Sequence, residues 1–153
     1  MRQPSRDTTD PYRLDSTLDF MRLLWAIEHG LQKRSKRMKA EIGITGPQRL
    51  VLRVVSRFPG ISAGDLARLI KLHPSTVTGI LHRLVDARLL RRERHPDDSR
   101  RVSLWTTRLA APHARPMAGT VERTVRDVLR RASPANTTAA RVVLTELARR
   151  LND

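Results

Sequence analysis

The sequence contains no cysteine, few aromatic residues and half as many acidic as basic residues. Without cysteine, the protein cannot form a disulfide or sense oxidants through a thiol. With 3% aromatic residues, the core must be built from Leu, Val, Ile and Ala, and such a thin core favours pairing with a second copy. No apolar run approaches the roughly 18 residues that cross a bilayer, and the N-terminus lacks the apolar centre of a secretory signal. We therefore expect a cytoplasmic protein that does not enter a membrane.

The shortage of acidic residues leaves the chain strongly positive. Its 153 residues carry 30 Lys and Arg against 15 Asp and Glu, which gives a formal net charge of +15. This length fits one domain-sized unit, and the charge favours a polyanionic partner, with nucleic acid a better fit than a membrane surface. Ribosomal and nucleoid proteins share this balance, so charge by itself does not identify a regulator.

The stretch 61–107 carries the most informative pattern in the chain. Ser62 followed by Asp65 is a capping-box-like start for a short helix, and residues 71–73 form a turn after it. Pro74 then suits the first position of a second helix, where its missing N–H costs nothing. In this second helix, apolar residues recur at spacings of three and four and are expected to face inward: Val77, Ile80, Leu81, Leu84 and Val85.

The opposite face of the second helix is small, hydroxylic and lightly basic. Such a face can lie against base-pair edges in a major groove without blocking the approach. The pattern therefore predicts a helix-turn-helix whose second helix recognises DNA. The candidate DNA-binding residues of this helix are Pro74, Ser75, Thr76, Thr78, Gly79, His82 and Arg83.

A basic hairpin is predicted to follow the recognition helix. Residues 89–94 and 101–106 are strand-like, and residues 95–100 have the composition of a turn. Charged residues on an edge strand can serve solely to prevent aggregation. However, the hairpin carries more arginines than that purpose needs, which favours a basic wing beside the recognition helix: Arg88, Arg91, Arg92, Arg94, Arg100 and Arg101.

The run 45–107 resembles the winged-helix module of the MarR family of bacterial transcription regulators. The wing of that family carries Asp, any residue, Arg, five residues and then Leu-Thr. This sequence has Asp98, Arg100 and Thr106-Thr107, so it departs at the Leu position. The resemblance implies that Arg100 enters a minor groove at the wing tip and that Asp98 orients an arginine. The wing residues assigned to DNA binding are Arg92, Arg94, Asp98, Arg100 and Arg101.

A long helix is predicted before this module. Asp15 or Ser16 can cap it, it should run to about Glu41, and Gly43 suits its C-terminal cap. Its apolar stripe fits a core better than a ligand site: Leu14, Leu18, Met21, Leu24, Trp25, Leu31, Met38 and Ile42. A cluster of lysines and arginines near its end either stabilises the helix dipole or contacts the DNA backbone.

A supporting helix should begin at a capping box of Thr45 and Gln48, with Pro47 in its first turn, and stop at residues 59–60. Its inward-facing residues are expected to be Leu50, Val51, Val54, Val55 and Phe58. Ile61 is expected to add a short third strand to the wing.

Two further helices are predicted after Thr107. Pro112 and Pro116 cannot both lie inside a straight helix, so we expect a broken entry and a main helix from about Pro116. Ser133-Pro134 should end it, and Asn136 or Thr137 should cap a last helix. The apolar stripes suit either an intramolecular bundle or the interlocking of subunits that the family resemblance implies.

The predicted fold is mainly α with a small β-wing, a winged helix-turn-helix plus a helical dimerisation region. Residues 1–13 would be a flexible arm, 14–43 and 108–153 the dimerisation region, and 44–107 the DNA-binding module. An enzyme is not expected, because paired carboxylates, Gly-rich phosphate loops and a nucleophile elbow are missing from the sequence. The five histidines are scattered, so neither a metal site nor a cofactor is expected.

Two functions are considered from these patterns. The first is a dimeric, sequence-specific transcription regulator, expected to be a repressor, that binds a pseudo-palindromic DNA duplex. The resemblance implies that a small, aromatic or anionic ligand changes its DNA affinity, although no ligand-binding residue is assigned. The second is a constitutive DNA-binding architectural protein without an effector.

Arg88 stands where the family usually has glycine. The recognition helix must end and reverse there into the first wing strand, which the resemblance associates with a left-handed backbone. A residue with a Cβ pays roughly 1 kcal/mol for that conformation. Either the turn is rebuilt, or the strain is tolerated, or Arg88 contributes a phosphate contact.

Overall fold

The structure is a computed structural model that describes residues 12–95 and 97–152, apart from the side chains of His95, Ser99 and Arg100. It is mostly helical with one two-stranded antiparallel sheet, which confirms the predicted fold class. The elements in chain order are α1 (Ser16–Ile42), α2 (Gly46–Arg57), α3 (Ala63–Ile70), α4 (Pro74–Asp86), β1 (Leu90–His95), β2 (Asp98–Thr106), a 3-10 turn (Arg108–Ala110), α5 (Ala111–Ala114), α6 (Val121–Leu129) and α7 (Pro134–Asn152). The predicted N-terminal arm falls almost wholly on residues 1–11, outside the described residues.

The ends of α1 are confirmed, but its role in the core is not. The carboxylate of Asp15 accepts a hydrogen bond from Leu18 N at 2.9 Å, and Gly43 closes the helix with φ 78°. Among the described residues of α1, only Met38 is buried. The remaining stripe was predicted as core, yet Trp25 is 60% exposed. Nothing in the described chain covers this face fully, so the periodicity marks a surface that the single chain leaves open.

The predicted capping box of α2 is present, with Thr45 Oγ1 accepting from Gln48 N and Thr45 N donating to Gln48 Oε1. The inward face was partly wrong, because Leu50 is 46% and Phe58 48% exposed, whereas Leu52 is buried. Helix α2 contacts α1, α3, α4, α5 and β2. Because α2 is packed on several sides, its buried residues cover a wider part of the helix surface than the single stripe that periodicity predicts.

Helices α3 and α4 form the predicted pair. Ser62 Oγ caps α3 by accepting from Asp65 N at 3.0 Å, and Pro74 occupies the first turn of α4. The apolar face of α4 lies in the main core, with Val85 packed at its edge. That core is made of Ile44, Val51, Leu52, Val55, Leu66, Val77, Ile80, Leu81, Leu84, Leu89, Leu90, Leu104 and Ala110.

The wing is a hairpin with a shorter turn than predicted. Strand β1 pairs with β2 from Leu90 opposite Thr106 to Arg94 opposite Val102, and the register then shifts so that His95 lies opposite Asp98. Residues 98–100 were predicted as turn, but they belong to β2, because this irregularity accommodates extra residues on one strand. The third strand expected at Ile61 is reduced to one isolated β-bridge, between Ser62 and Ser103.

The C-terminal region differs from the prediction in where its helices begin. The main helix α6 starts at Val121 rather than about Pro116, since the chain after α5 leaves helical geometry before Pro116 and needs Gly119 at φ 74° to turn. The last helix begins at Pro134, with Ser133 Oγ rather than Asn136 or Thr137 capping it. Within the described residues, the helices are too short or too polar to cross a bilayer.

Candidate nucleic-acid interface

Helix α4 presents a polar face away from the core. Its apolar side chains Val77, Leu81 and Leu84 are buried, which fixes the rotation of the helix. The opposite side carries the candidate DNA-binding residues. The exposed ones are Pro74, Ser75, Thr76, Thr78, His82 and Arg83, and Gly79 is half-buried.

The first turn of this face is ordered by local hydrogen bonds. His73 is the N-cap residue, and its Nδ1 lies 2.7 Å from Ser75 Oγ and 3.3 Å from Ser75 N. Thr78 Oγ1 donates to Pro74 O at 2.9 Å. This bond uses the hydroxyl proton of Thr78, so its oxygen is left as a hydrogen-bond acceptor. The role of His73 as cap was not anticipated, since histidine is not among the preferred N-cap residues.

The turn between α3 and α4 contains a strained residue. Lys71 has φ 53° and ends α3 in the left-handed conformation that glycine usually fills. The sequence placed the turn correctly at residues 71–73. It gave no sign of the positive φ, because a lysine there follows no turn preference.

The arginines of the wing divide into two groups. Arg92 and Arg94 are exposed on β1. Arg91 instead stacks over the Trp105 ring, with its guanidinium carbon 5.5 Å from the ring centroid, and pairs with Glu93. Arg91 was not among the assigned DNA-binding residues, and its contacts hold it to the hairpin.

Arg101 links the wing to the helix-turn-helix. Its Nη2 lies 3.9 Å from Asp65 Oδ2, on the first turn of α3. The hydrogen bond from the Ser62 hydroxyl lowers the pKa of Asp65, burial opposes this, and the charges of Arg68 and Arg101 add to the lowering, so the net shift is downward. Asp65 therefore stays ionised near neutral pH and holds Arg101 towards α3. The sequence predicted only a capping role for Asp65, because no local sequence pattern indicates its contact with Arg101, 36 residues away.

The two remaining wing residues define the tip. Asp98 is exposed and begins β2 opposite His95. The backbone of Arg100 lies in β2, but its side chain lies outside the described side chains, so its entry into a minor groove stays a prediction.

Arg88 has the left-handed backbone that its position implied, with φ 56°. Arg88 N donates to Val85 O and Leu89 N donates to Leu84 O, each at 2.9 Å. This pair of bonds is the Schellman ending of a helix, in which the left-handed residue is usually glycine. Leu84 and Leu89, whose side chains make the apolar contact in this motif, both lie in the main core. The turn is therefore not rebuilt around the arginine.

A buried arginine beneath the module was not anticipated. Arg49 is 1% exposed, and its Nε donates to Glu122 Oε1 at 2.6 Å. Burial raises the pKa of Glu122, but the hydrogen bond and charge of Arg49, together with hydrogen bonds from a backbone N–H and the Thr120 hydroxyl, outweigh it, so the net shift is downward. Burial and then the charge of Arg49 lower the pKa of His113, whose Nδ1 is buried without a hydrogen-bond partner in the described part of the chain.

A cleft of about 300 Å³ lies between α1 and α6. Arg34 is its one charged lining residue, beside mostly apolar neighbours. The lining consists of Ile27, Gly30, Leu31, Arg34, Val121, Thr124 and Val125. Within residues 12–95 and 97–152, His, Asp and Glu side chains do not gather in threes as a metal site requires.

Known proteins match this chain in sequence and in fold. Residues 42–101 match the model of the MarR family. The HTH-type transcriptional regulator TtmR of Methylorubrum extorquens is 35% identical over 107 residues, which are 70% of this chain and 53% of that protein. The chain thus matches about half the length of this curated relative.

Solved structures share the fold at low sequence identity. The S. aureus MepR–DNA complex has a TM-score of 0.70 at 19% identity and covers 86% of this chain and 97% of that one. PcaV from Streptomyces coelicolor, solved with its natural ligand, has a TM-score of 0.67 at 23% identity and covers 92% of this chain and 96% of that one. Over residues 42–101 the chain is therefore similar to the MarR family of transcription regulators, and it shares the fold of these two solved structures.

Proposed function

We propose that the protein is a homodimeric transcription regulator, a repressor, that binds a pseudo-palindromic DNA duplex. The observation that carries the proposal is the pairing of the exposed polar face of α4 with the exposed arginines of the adjoining wing. A helix with this face fits a major groove, and Arg92, Arg94, Arg100 and Arg101 supply charge for the flanking phosphates and minor groove. MepR has been solved bound to DNA, which supports the same use of this fold.

Dimerisation is supported by the open apolar faces of α1, α6 and α7. Val128 on α6 is 62% exposed, and large apolar side chains lie exposed on all three helices. A monomer rarely leaves contiguous apolar surface of this kind exposed to water, so we expect a second copy of the chain to bury this surface. We accordingly assign residues 14–43 and 108–153 to dimerisation and 44–107 to DNA binding.

A small-molecule effector is supported by the cleft at Arg34. An apolar cleft with one guanidinium suits a small aromatic acid, whose carboxylate would pair with the arginine. PcaV has been solved with its natural ligand. Occupation of a cleft between α1 and α6 would change how these helices pack and so weaken DNA binding. The alternative is a constitutive architectural protein, whose DNA affinity would not respond to any such acid.

The decisive experiment is footprinting on DNA that flanks the protein's own gene, followed by affinity measurements across salt concentrations. Two α4 helices should protect major grooves about 10 base pairs apart. If each subunit neutralises three to five phosphates, log affinity should fall against log salt with a slope of about −5 to −9. A slope shallower than about −2 would contradict binding through α4 and a basic wing.

Dimerisation is tested by light scattering at micromolar concentration. Val128→Glu puts a charge on the open face and should yield a monomer with weakened operator binding. Ser56→Glu adds the same charge at an exposed position of α2, away from the open apolar faces, and this control variant should remain dimeric. A wild-type monomer that binds the full operator tightly would contradict the dimer.

A further inference from the structure

Arg49 is buried although its side chain carries a full charge. Each of its three guanidinium nitrogens donates a hydrogen bond: Nε to Glu122 Oε1 at 2.6 Å, Nη1 to His113 O at 2.7 Å and Nη2 to Arg115 O at 2.6 Å. A buried guanidinium is tolerated when its donors are satisfied in this way, and it is costly when they are not. At 1% exposure, Arg49 cannot touch DNA.

The partners of Arg49 lie in the segment that joins the DNA-binding module to α6. Helix α5 ends at Ala114, so the carbonyls of residues 113–115 have no following helical N–H to bond. Arg49 takes the first and the third of these carbonyls, and Arg53, one turn further along α2, takes that of Ala114. The two arginines cap the break that the prolines at 112 and 116 impose.

The N-terminal end of α2 also meets the helices that carry the open apolar faces. Gly46 N donates to Ser35 Oγ of α1 at 2.9 Å. A Cβ on Gly46 would lie 3.4 Å from Val121 Cγ2 of α6, so the approach is close. Helix α2 therefore packs under α4 on one side and against α1 and α6 at its N-terminal end.

We propose that Arg49 is a positioning residue that sets the angle of the DNA-binding module on the helices α1 and α6. This inference rests on the proposed function, because in a dimer that angle fixes the separation of the two α4 helices. Arg49 acts through Glu122 and the carbonyls of residues 113–115. Without it, these partly exposed groups would turn to water and the module would swing about the connecting segment.

The first test measures how strictly the dimer requires one half-site spacing. The probes are the footprinted operator and versions lengthened or shortened by one and two base pairs, at one salt concentration. Wild type should bind the altered spacings far more weakly. Arg49→Met should bind the native spacing at least about fivefold more weakly and lose most of its discrimination between spacings. Arg57→Met removes one exposed charge from the same helix and should keep the wild-type spacing profile.

The second test measures the angle without DNA. The chain has no cysteine, so the pair Glu28→Cys and Asp86→Cys places spin labels on α1 and α4 alone. Dilution with unlabelled protein isolates the distance within one chain. Wild type and Arg57→Met should give a narrow distribution, and Arg49→Met a broader one.

The outcomes distinguish the positioning role of Arg49 from the proposed function of the protein. A folded Arg49→Met protein with an unchanged spacing profile and an unchanged distance distribution overturns the positioning role. If Arg49→Met does not fold, Arg49→Lys decides by the same criteria, since lysine keeps the charge beside Glu122 but cannot reach both carbonyls. A distance distribution that broadens in a protein whose wild type binds no DNA supports the positioning role and rejects the proposed function instead.

Discussion

Replacing Arg88 by glycine should stabilise the protein. Arg88 holds φ 56° at the left-handed position of a Schellman ending, where a residue with a Cβ pays about 1–2 kcal/mol. Glycine avoids this strain but gains unfolded-state entropy worth about 0.4–1 kcal/mol. At the middle of these ranges the net gain in the free energy of unfolding should be about 0.8 kcal/mol, or roughly 2–3 °C in Tm for a chain of this size.

The assay is urea unfolding of Arg88→Gly beside Arg88→Ala. Alanine removes the long side chain and its charge but keeps the Cβ, so its stability should stay near that of wild type. The difference between the two variants then measures the backbone strain less the unfolded-state entropy that glycine gains. If the glycine variant unfolds at lower urea than the alanine variant, the strain argument is refuted.

The same two variants decide whether Arg88 touches a phosphate. A phosphate contact requires that both variants bind the operator several-fold more weakly, with a salt slope smaller by about 1 per subunit. Simple tolerance of the strain requires that both bind like wild type. The side chain of Arg88 is exposed at the end of α4, a position compatible with either result.

Three further changes test other parts of the structure. Gly60→Ala should destabilise by about 1–3 kcal/mol in urea unfolding, because Gly60 has φ 84° and its added Cβ would lie 3.2 Å from Trp105 Cζ2; Gly64→Ala, in open helix, should instead be neutral or stabilising. Because the pKa of His113 lies below its ordinary value of 6.5, the unfolded chain binds the proton first. The contribution of His113 to the free energy of unfolding is therefore complete above pH 6.5 and is lost as the pH falls below it. In unfolding measured across pH, His113→Leu should lose less stability below pH 6.5 than wild type does. An equally steep loss in the variant would show that His113 is not its source. Arg100→Ala should weaken operator binding and reduce the preference for narrow A·T-rich minor grooves in a binding-site selection, and unchanged affinity would show that the wing tip does not enter the groove.

Local chemistry determined much of the fold in advance. Helix starts at Asp15, Thr45 and Ser62 were predictable because each cap bonds a backbone N–H three residues away. The inward face of α4 followed from its periodicity, since one core covers one side of that helix. The left-handed backbone of Arg88 followed from the family pattern.

The tertiary structure decided what depends on distant parts of the chain. Arg49 looked like an ordinary helix arginine, and its burial depends on Glu122, 73 residues further on. The pairing of Arg101 with Asp65 joins two elements that have no shared local pattern. The apolar stripe of α1 was periodic enough to predict a core, yet its side chains are largely exposed. Periodicity reports that a face avoids water, but which surface covers it depends on how the other elements pack.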